Sequence, residues 1–192
     1  MQSKSSALLD RYRRTLSEFD ARVRQVGDDQ WGLPTPCTDW NVRQLVNHLV
    51  YEDRWTAPLM RGSTLEEVGD RFDGDLLGDR PKDAWSEASR EALDSVEEEG
   101  ALDRSVNLSS GPTPASEYVD QLASDHLIHA WDLARAIGAD ERLDPELVDW
   151  LYEQAAPRED ELKSYGIYGD KVEVSADSDT QTKLLAVFGR RA

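Results

Sequence analysis

Apolar side chains recur at spacings of three and four residues along most of this 192-residue chain, which is the period of an α-helix. The first such stretch predicts a helix over residues 4–26, with its apolar positions at Ala7, Leu8, Tyr12, Leu16, Phe19, Val23 and Val26. Asn41 followed by Gln44 resembles a capping box, which predicts a second helix to about Met60. Because helices with one apolar stripe must bury it against one another, the pattern predicts an all-α helical bundle.

Proline, glycine and short polar residues mark the other boundaries. Further helices are predicted over Pro81–Glu99, Thr113–Ile137 (with Pro114 as the first helical residue), Asp144–Ala156 and Asp179–Phe188. The connections are predicted loops at Asp28–Asp39 and Arg61–Asp79, an extended piece at Ser105–Leu108, a turn at Ser109–Pro112, and a loop with a short strand at Gly166–Val174. We expect one domain over residues 1–192, a four-helix bundle with long loops and small C-terminal additions.

Charge and cysteine content exclude several classes of protein. The chain has 22 Lys and Arg against 39 Asp and Glu, giving a formal net charge of −17. Such a chain repels nucleic acid and anionic membranes, although an acidic surface also simply favours solubility. One cysteine excludes a Cys-rich zinc finger, and no apolar run approaches the roughly 18 residues of a membrane span. With no signal-peptide h-region at the start, we expect a cytoplasmic protein without nucleic-acid or membrane partners.

The three histidines are the most informative residues for function. His48 lies midway along the second predicted helix, whereas His126 and His129 lie midway along the longest one. Asp125 and His129 are four residues apart and therefore share one helical face, and Asp132 continues this stripe. His126 is one position further round and could reach either the core or the stripe.

Ligands that project inward from facing helices are a common way of building a metal site in a bundle. Zinc accepts imidazole nitrogen and carboxylate oxygen, and catalytic zinc sites use three protein ligands and keep a fourth position open. His48, Asp125 and His129 supply that number. The alternative is that His48 is a core histidine and the other two residues form an ordinary surface pair.

Two segments carry a resemblance to a known family. Residues 35–49 (TPCTDWNVRQLVNHL) and residues 125–138 (DHLIHAWDLARAIG) are similar to two signatures of the mycothiol-dependent maleylpyruvate isomerase N-terminal-domain family. The ending Phe188-Gly189-Arg190, after Leu184-Leu185-Ala186, resembles an uncharacterised actinobacterial subgroup. The wider relatives are DinB-like four-helix bundles, many of which bind zinc or nickel.

The resemblance places the family's metal ligands on His48, Asp125 and His129, and it implies zinc first and nickel second. The isomerase usually has glutamate at the position of Asp125. Its acid three residues after the second histidine falls on Asp132, which would orient His129 or act on substrate as a catalytic residue. His126 has no counterpart among those ligands, and its spacing would let it replace Asp125 or chelate together with His129.

The implied activity is a metal-dependent S-transferase or isomerase that uses mycothiol or another small thiol on a small electrophilic substrate, with a homodimer as a candidate state. The isomerase has a second domain that supplies an arginine, and we expect the residues after Gly138 to be too few for it. The alternative function is a non-catalytic metal-binding or ligand-sensing protein. A third interpretation is a non-haem iron site, which two histidines and a carboxylate would also hold.

Two further residues have an open role in the sequence. Cys37 precedes the second helix, whose N-terminus lowers a thiol pKa, so it is either a reactive thiol or a packing residue of the loop. Trp55 lies seven residues after His48 on the same face, where it either lines a pocket or anchors the core.

Overall fold

The computed structural model describes residues 2–158 and 172–192, and the chain divides into two compact units, Met1–Ala139 and Asp140–Ala192. In the first unit the elements are α1 Gln2–Val23, α2 Val42–Met60, α3 Leu65–Val68, α4 Pro81–Glu97, β1 Ser105–Leu108, β2 Gly111–Pro114 and α5 Ala115–Ile137. Helix α1 packs along α5 and α2 along α4, while contacts of α1 with α4 and of α2 with α5 complete the bundle. The predicted helical bundle is confirmed, and the single-domain organisation stays a prediction.

The core of the first unit consists of the apolar stripes of the four long helices. In α1 the side chains predicted to face inward are almost all buried, and only Ala7 of that set is exposed. The largest fully buried side chains of the unit include Tyr12, Phe19, Trp85 and Trp131. Of the six tryptophans, Trp85 on α4 and Trp131 on α5 are therefore fully buried in the core.

Local signals fix the ends of the two helices that matter most for function. At the start of α2 the Asn41 side chain accepts from the backbone N–H of Gln44, whose own side chain accepts from the Asn41 N–H, both at 2.9 Å. This is the predicted capping box. At the end of α5, Gly138 takes φ of +69°, which glycine reaches without a Cβ clash, and donates to the carbonyl of Ala134.

Three differences from the sequence prediction have a clear local cause. Helix α1 ends at Val23 because the backbone N–H groups of Gln25 and Val26 donate to carbonyls three residues back in the chain instead of four. The predicted loop 61–79 contains α3, which has a capping box of its own between Thr64 and Glu67. Helix α5 begins at Ala115 rather than Thr113, because residues 111–114 pair with β1 as an antiparallel hairpin and Pro114 is still extended.

The second unit contains α6 Pro145–Ala155 and α7 Thr180–Val187, which pack against each other. The side chains of Asp144 and Asp179 cap the two helices, as the sequence predicts. Of the predicted loop and strand at 166–174, residues 166–171 lie outside the described part of the chain, and 172–174 have no regular secondary structure. Among the described helices, none combines the length and apolar character that crossing a membrane requires.

Candidate metal centre

Helices α2 and α5 bring together the three residues that the sequence predicts as metal ligands. His48 Nε2 lies 3.0 Å from Oδ2 of Asp125, and His129 Nε2 lies 3.3 Å from Oδ1 of the same carboxylate. One donor atom from each residue lies within 4.8 Å of the other two. We call these three residues the open cluster, because the side chains of His48 and Asp125 are 24% and 27% exposed.

The spacing of these donor atoms fits a metal ion. For a tetrahedral ion with bonds of about 2.0 Å to nitrogen and oxygen, adjacent donor atoms lie about 3.3 Å apart. Asp125 contacts the two imidazoles at 3.0 and 3.3 Å through its two different oxygens, and one donor atom from each of the three residues lies within 4.8 Å of the others, so a small turn of the carboxylate would bring one oxygen to both nitrogens. Two imidazole nitrogens and one carboxylate oxygen are also ligands that zinc and nickel accept.

Asp132 lies behind His129 and not on the solvent side of the cluster. Its Oδ2 is 2.9 Å from Nδ1 of His129, and the side chain is fully buried. A carboxylate in this position holds the proton on Nδ1 and so leaves Nε2 free to bind a metal ion. Of the two roles predicted for Asp132, the contacts favour orienting His129, and the catalytic role stays a prediction.

The loop before α2 covers the cluster with an aromatic ring. The Trp40 ring centroid is 4.6 Å from that of His48, with 33° between the planes, and 5.8 Å from that of His129. The two imidazoles meet edge to face, with centroids 5.3 Å apart. Trp40 therefore limits the rotation of both histidines and keeps water from one side of them.

The charged groups of the open cluster, which are largely shielded from water, shift one another's pKa values. Burial by itself would raise the pKa of Asp125, but the facing His129 and His48 outweigh it and hold this pKa well below its usual range. Burial would likewise lower the pKa of His129, yet Asp125, Asp132 and Cys37 raise it well above the ordinary histidine value. In the metal-free protein the proton is thus held on the His129 imidazole beside the ionised Asp125 carboxylate, and a bound cation would take its place.

Glu52 lies one helical turn after His48 on α2 and belongs to the surroundings of this cluster. Burial, and after it the negative charge of Asp125, raises the pKa of Glu52 to about 7, against the opposing effect of His48. Glu52 therefore exchanges a proton near neutral pH. Glu52 is not among the site residues predicted from the sequence, although its spacing of four residues from His48 is a signal that could have found it.

His126 points away from the open cluster into the bundle core. Its Nε2 lies 3.2 Å from Oδ1 of Asp53 on α2, and both side chains are fully buried. Its Nδ1 lies 2.6 Å from the carbonyl oxygen of Leu122, and the rings of Tyr12, Phe19 and Trp85 surround it. His126 is thus no part of the candidate ligand groups found in the described residues, and we call Asp53 and His126 the core cluster.

The structure also locates Cys37 and Trp55, the two residues whose role the sequence leaves open. Sγ of Cys37 lies 3.3 Å from Oδ2 of Asp132 and 3.9 Å from Nδ1 of His129, next to the open cluster. The Trp55 ring contacts those of Tyr51 and Phe72, while the tryptophan against the histidines is Trp40. No spacing rule in the sequence joins Cys37 or Trp40 to α5, because these contacts form only in the folded chain.

Helices α1, α2, α4 and α5, with a cluster of two histidines and a carboxylate between α2 and α5, define a helical bundle of the DinB-like class. Residues 12–134 match the family model described as "Mycothiol maleylpyruvate isomerase N-terminal domain". The chain belongs to this family.

Relatives and solved structures agree with this assignment. Two uncharacterized proteins of Mycobacterium tuberculosis, from strains CDC 1551 / Oshkosh and ATCC 25618 / H37Rv, are each 32% identical over 140 residues, which is 71% of this chain and 70% of theirs. Crystal structures of the mycothiol-dependent maleylpyruvate isomerase, and of a variant with one histidine replaced by alanine, match 79% of this chain and 69% of theirs. At 18% identity and a TM-score of 0.62, these two structures show the shared fold.

Proposed function

We propose that this protein binds one divalent metal ion, zinc first and nickel second, through His48, Asp125 and His129. We further propose that it uses the ion with mycothiol or another small thiol as an S-transferase or isomerase of a small electrophilic substrate. The observation that carries the proposal is the convergence of the three donor atoms on a partly exposed edge between α2 and α5. The family match supports the thiol.

A bound divalent cation would favour the thiolate form of a thiol, which is a far better nucleophile than the neutral thiol. Such a role needs a site that is not closed by protein ligands. Three residues form the ligand group around Asp125 in the described part of the chain, and His126 faces the opposite way. The geometry therefore supports the three-ligand arrangement typical of catalytic sites.

The residues around the cluster have separate tasks in this proposal. Asp132 keeps the proton on Nδ1 of His129, so that Nε2 stays a ligand atom. Trp40 orients both imidazoles and excludes water from one face. With a pKa of about 7, Glu52 is the group beside His48 that can accept the proton that a thiol loses near neutral pH.

The alternative is a metal-binding or ligand-sensing protein without catalysis. It is favoured by one observation, since the isomerase structures share 18% identity with this chain and therefore show the fold alone. Both functions share the metal centre, and they differ in whether a thiol and a substrate bind and react there. A homodimer, a cytoplasmic location and the absence of nucleic-acid partners stay predictions.

Cobalt substitution separates the two functions. We expect the purified protein to carry about one equivalent of divalent metal by elemental analysis. In the cobalt form, added mycothiol should produce a sulfur-to-cobalt charge-transfer band that saturates. With a small electrophile such as maleylpyruvate, an S-transferase should then consume the thiol, whereas an isomerase should convert the electrophile and release the thiol unchanged. Cys37 is the chain's only cysteine, so a band present before thiol addition belongs to it and is subtracted.

Two outcomes would change the assignment. A cobalt form whose spectrum does not respond to mycothiol or to other small thiols would favour the non-catalytic protein. Protein that holds no zinc, nickel or cobalt after growth or dialysis with each would reject the metal centre altogether.

A further inference from the structure

Asp132 accepts two hydrogen bonds on one oxygen, and the second donor comes from a distant part of the chain. Oδ2 of Asp132 lies 2.9 Å from Nδ1 of His129 and 3.3 Å from Sγ of Cys37, which is 95 residues away in sequence. The Asp132 side chain is fully buried. A buried carboxylate is stabilised only by the donors that it finds, so both contacts matter for its position.

We infer that Cys37 is a positioning residue of the metal centre, whose thiol donates a hydrogen bond to Oδ2 of Asp132 and keeps that oxygen aimed at His129 Nδ1. The inference rests on the proposed metal centre. It gives the thiol a structural task behind the histidine, distinct from that of a nucleophile or a ligand.

The loop that carries Cys37 is held rigidly enough for this task. The backbone N–H of Trp40 donates to the carbonyl of Cys37 at 2.8 Å, and the backbone N–H of Cys37 donates to Oγ1 of Thr35 at 3.2 Å. The Thr35 hydroxyl lies 2.8 Å from the Trp40 carbonyl and donates to it. The same short loop thus places the Trp40 ring against the histidines and the Cys37 thiol against Asp132.

The side of the imidazole on which Cys37 lies argues against direct coordination at the open cluster. Its sulfur is 3.9 Å from Nδ1 of His129, whereas Asp125 faces Nε2 of the same ring. Cys37, His129 and Asp132 could also hold a cation among themselves. Such an ion would have to replace the 2.9 Å hydrogen bond between Nδ1 and Asp132, which is the bond that orients Nε2.

Two substitutions at position 37 test the inference through zinc affinity, measured by competition with a chromophoric chelator. Cys37→Ala removes the donor, and since changes in such outer hydrogen bonds lower metal affinity by roughly 10–100-fold, we expect a loss of about tenfold. Cys37→Ser restores a donor of similar size and should recover the affinity to within about twofold of the wild type. A further variant, Cys37→Val, fills the space without a donor and should stay as impaired as Cys37→Ala, whereas a merely space-filling role would let valine recover the affinity as serine does.

A second measurement is made on metal-free protein, so that it does not depend on the proposed function. The exchange rate of the His129 Nδ1 proton, followed by NMR of the imidazole, should be similar in the wild type and Cys37→Ser and faster in Cys37→Ala. If wild-type protein binds no metal, the proposed function fails while this measurement still decides the role of Cys37.

Three results would overturn the inference. In the first, Cys37→Ala matches the wild type in both zinc affinity and proton exchange. In the second, Cys37→Ser is as impaired as Cys37→Ala. In the third, the wild type takes up two equivalents of a thiophilic ion such as Cd²⁺ and Cys37→Ser takes up one, which would make Cys37 a ligand of a second site.

Discussion

Helices α2 and α5 build two clusters of the same residue types in opposite settings. The open cluster pairs His48 of α2 with Asp125 and His129 of α5, and two of its side chains are about one-quarter exposed. The core cluster pairs Asp53 of α2 with His126 of α5, and neither side chain has any exposed surface. His126 and His129 are three residues apart on α5, yet a ligand can reach the cluster of His129 and cannot reach that of His126.

The difference in burial determines what each cluster can do. In the core cluster, burial by itself would lower the pKa of His126, but Asp53 outweighs it and the pKa is raised. The pair is surrounded by aromatic rings, and Oδ1 of Asp53 faces Nε2 of His126 at 3.2 Å. We therefore expect the core cluster to affect stability and the open cluster to affect binding.

The largest expected effect is the loss of the metal ion on substitution within the open cluster. His129→Gln removes one of the three proposed ligands, so the zinc affinity should fall by more than the roughly 100-fold that a lost outer hydrogen bond can cost. His126→Gln is the matched control, since it makes the same change three residues away and should keep about one equivalent of metal. Elemental analysis and chelator competition measure both, and equal metal loss in the two variants would contradict the division into two clusters.

The next effect concerns the core cluster. Asp53→Ala leaves His126 buried without its partner, which should lower the free energy of unfolding by about 3 kcal/mol in urea denaturation. Replacing both groups, as in Asp53→Ala with His126→Leu, should recover much of that loss because no unpaired polar group is left behind. A double variant that is less stable than Asp53→Ala would argue that the pair itself stabilises the bundle.

Glu52 is the neighbour of Asp53 but lies beside the open cluster, so its effect should depend on pH. Its pKa of about 7 in the folded chain lies above the ordinary value of 4.5, so the folded state holds the proton more tightly. The free energy of unfolding of metal-free wild type should therefore fall as pH rises from about 4.5 to 7, by up to about 3 kcal/mol relative to Glu52→Gln. Urea titrations across this range check it, and parallel curves for the two proteins would refute it.

The smallest expected effect is a loss of stability that affects both clusters equally, because both contain a residue of α2. Asn41→Ala removes the side chain that caps this helix and should cost about 1 kcal/mol of stability without changing the metal content. Thr64→Ala removes the corresponding cap of the four-residue helix α3, which buries only Val68, and should cost less. Metal loss in Asn41→Ala would show that the open cluster depends on the first turn of α2.

The sequence determined the elements that depend on local chemistry. The apolar period predicted the helices, Asn41 with Gln44 predicted the start of α2, and Gly138 predicted the end of α5. The spacing of four between Asp125 and His129 placed these residues on one helical face. The position of His48 midway along a second helix made it the third candidate ligand, and the resemblance implied the same three residues. The start of α5 was wrong because the pairing of residues 111–114 with β1 competes with the helix signal of Pro114.

Only the tertiary structure decided which way the remaining groups face. His126 could reach the core or the ligand stripe by sequence, and it faces the core because Asp53 lies there on α2. The thiol of Cys37 reaches Asp132 across 95 residues, and Trp40 covers the histidines from a loop. Such contacts depend on how the helices and loops are arranged in space, and no periodicity along the chain encodes that distance.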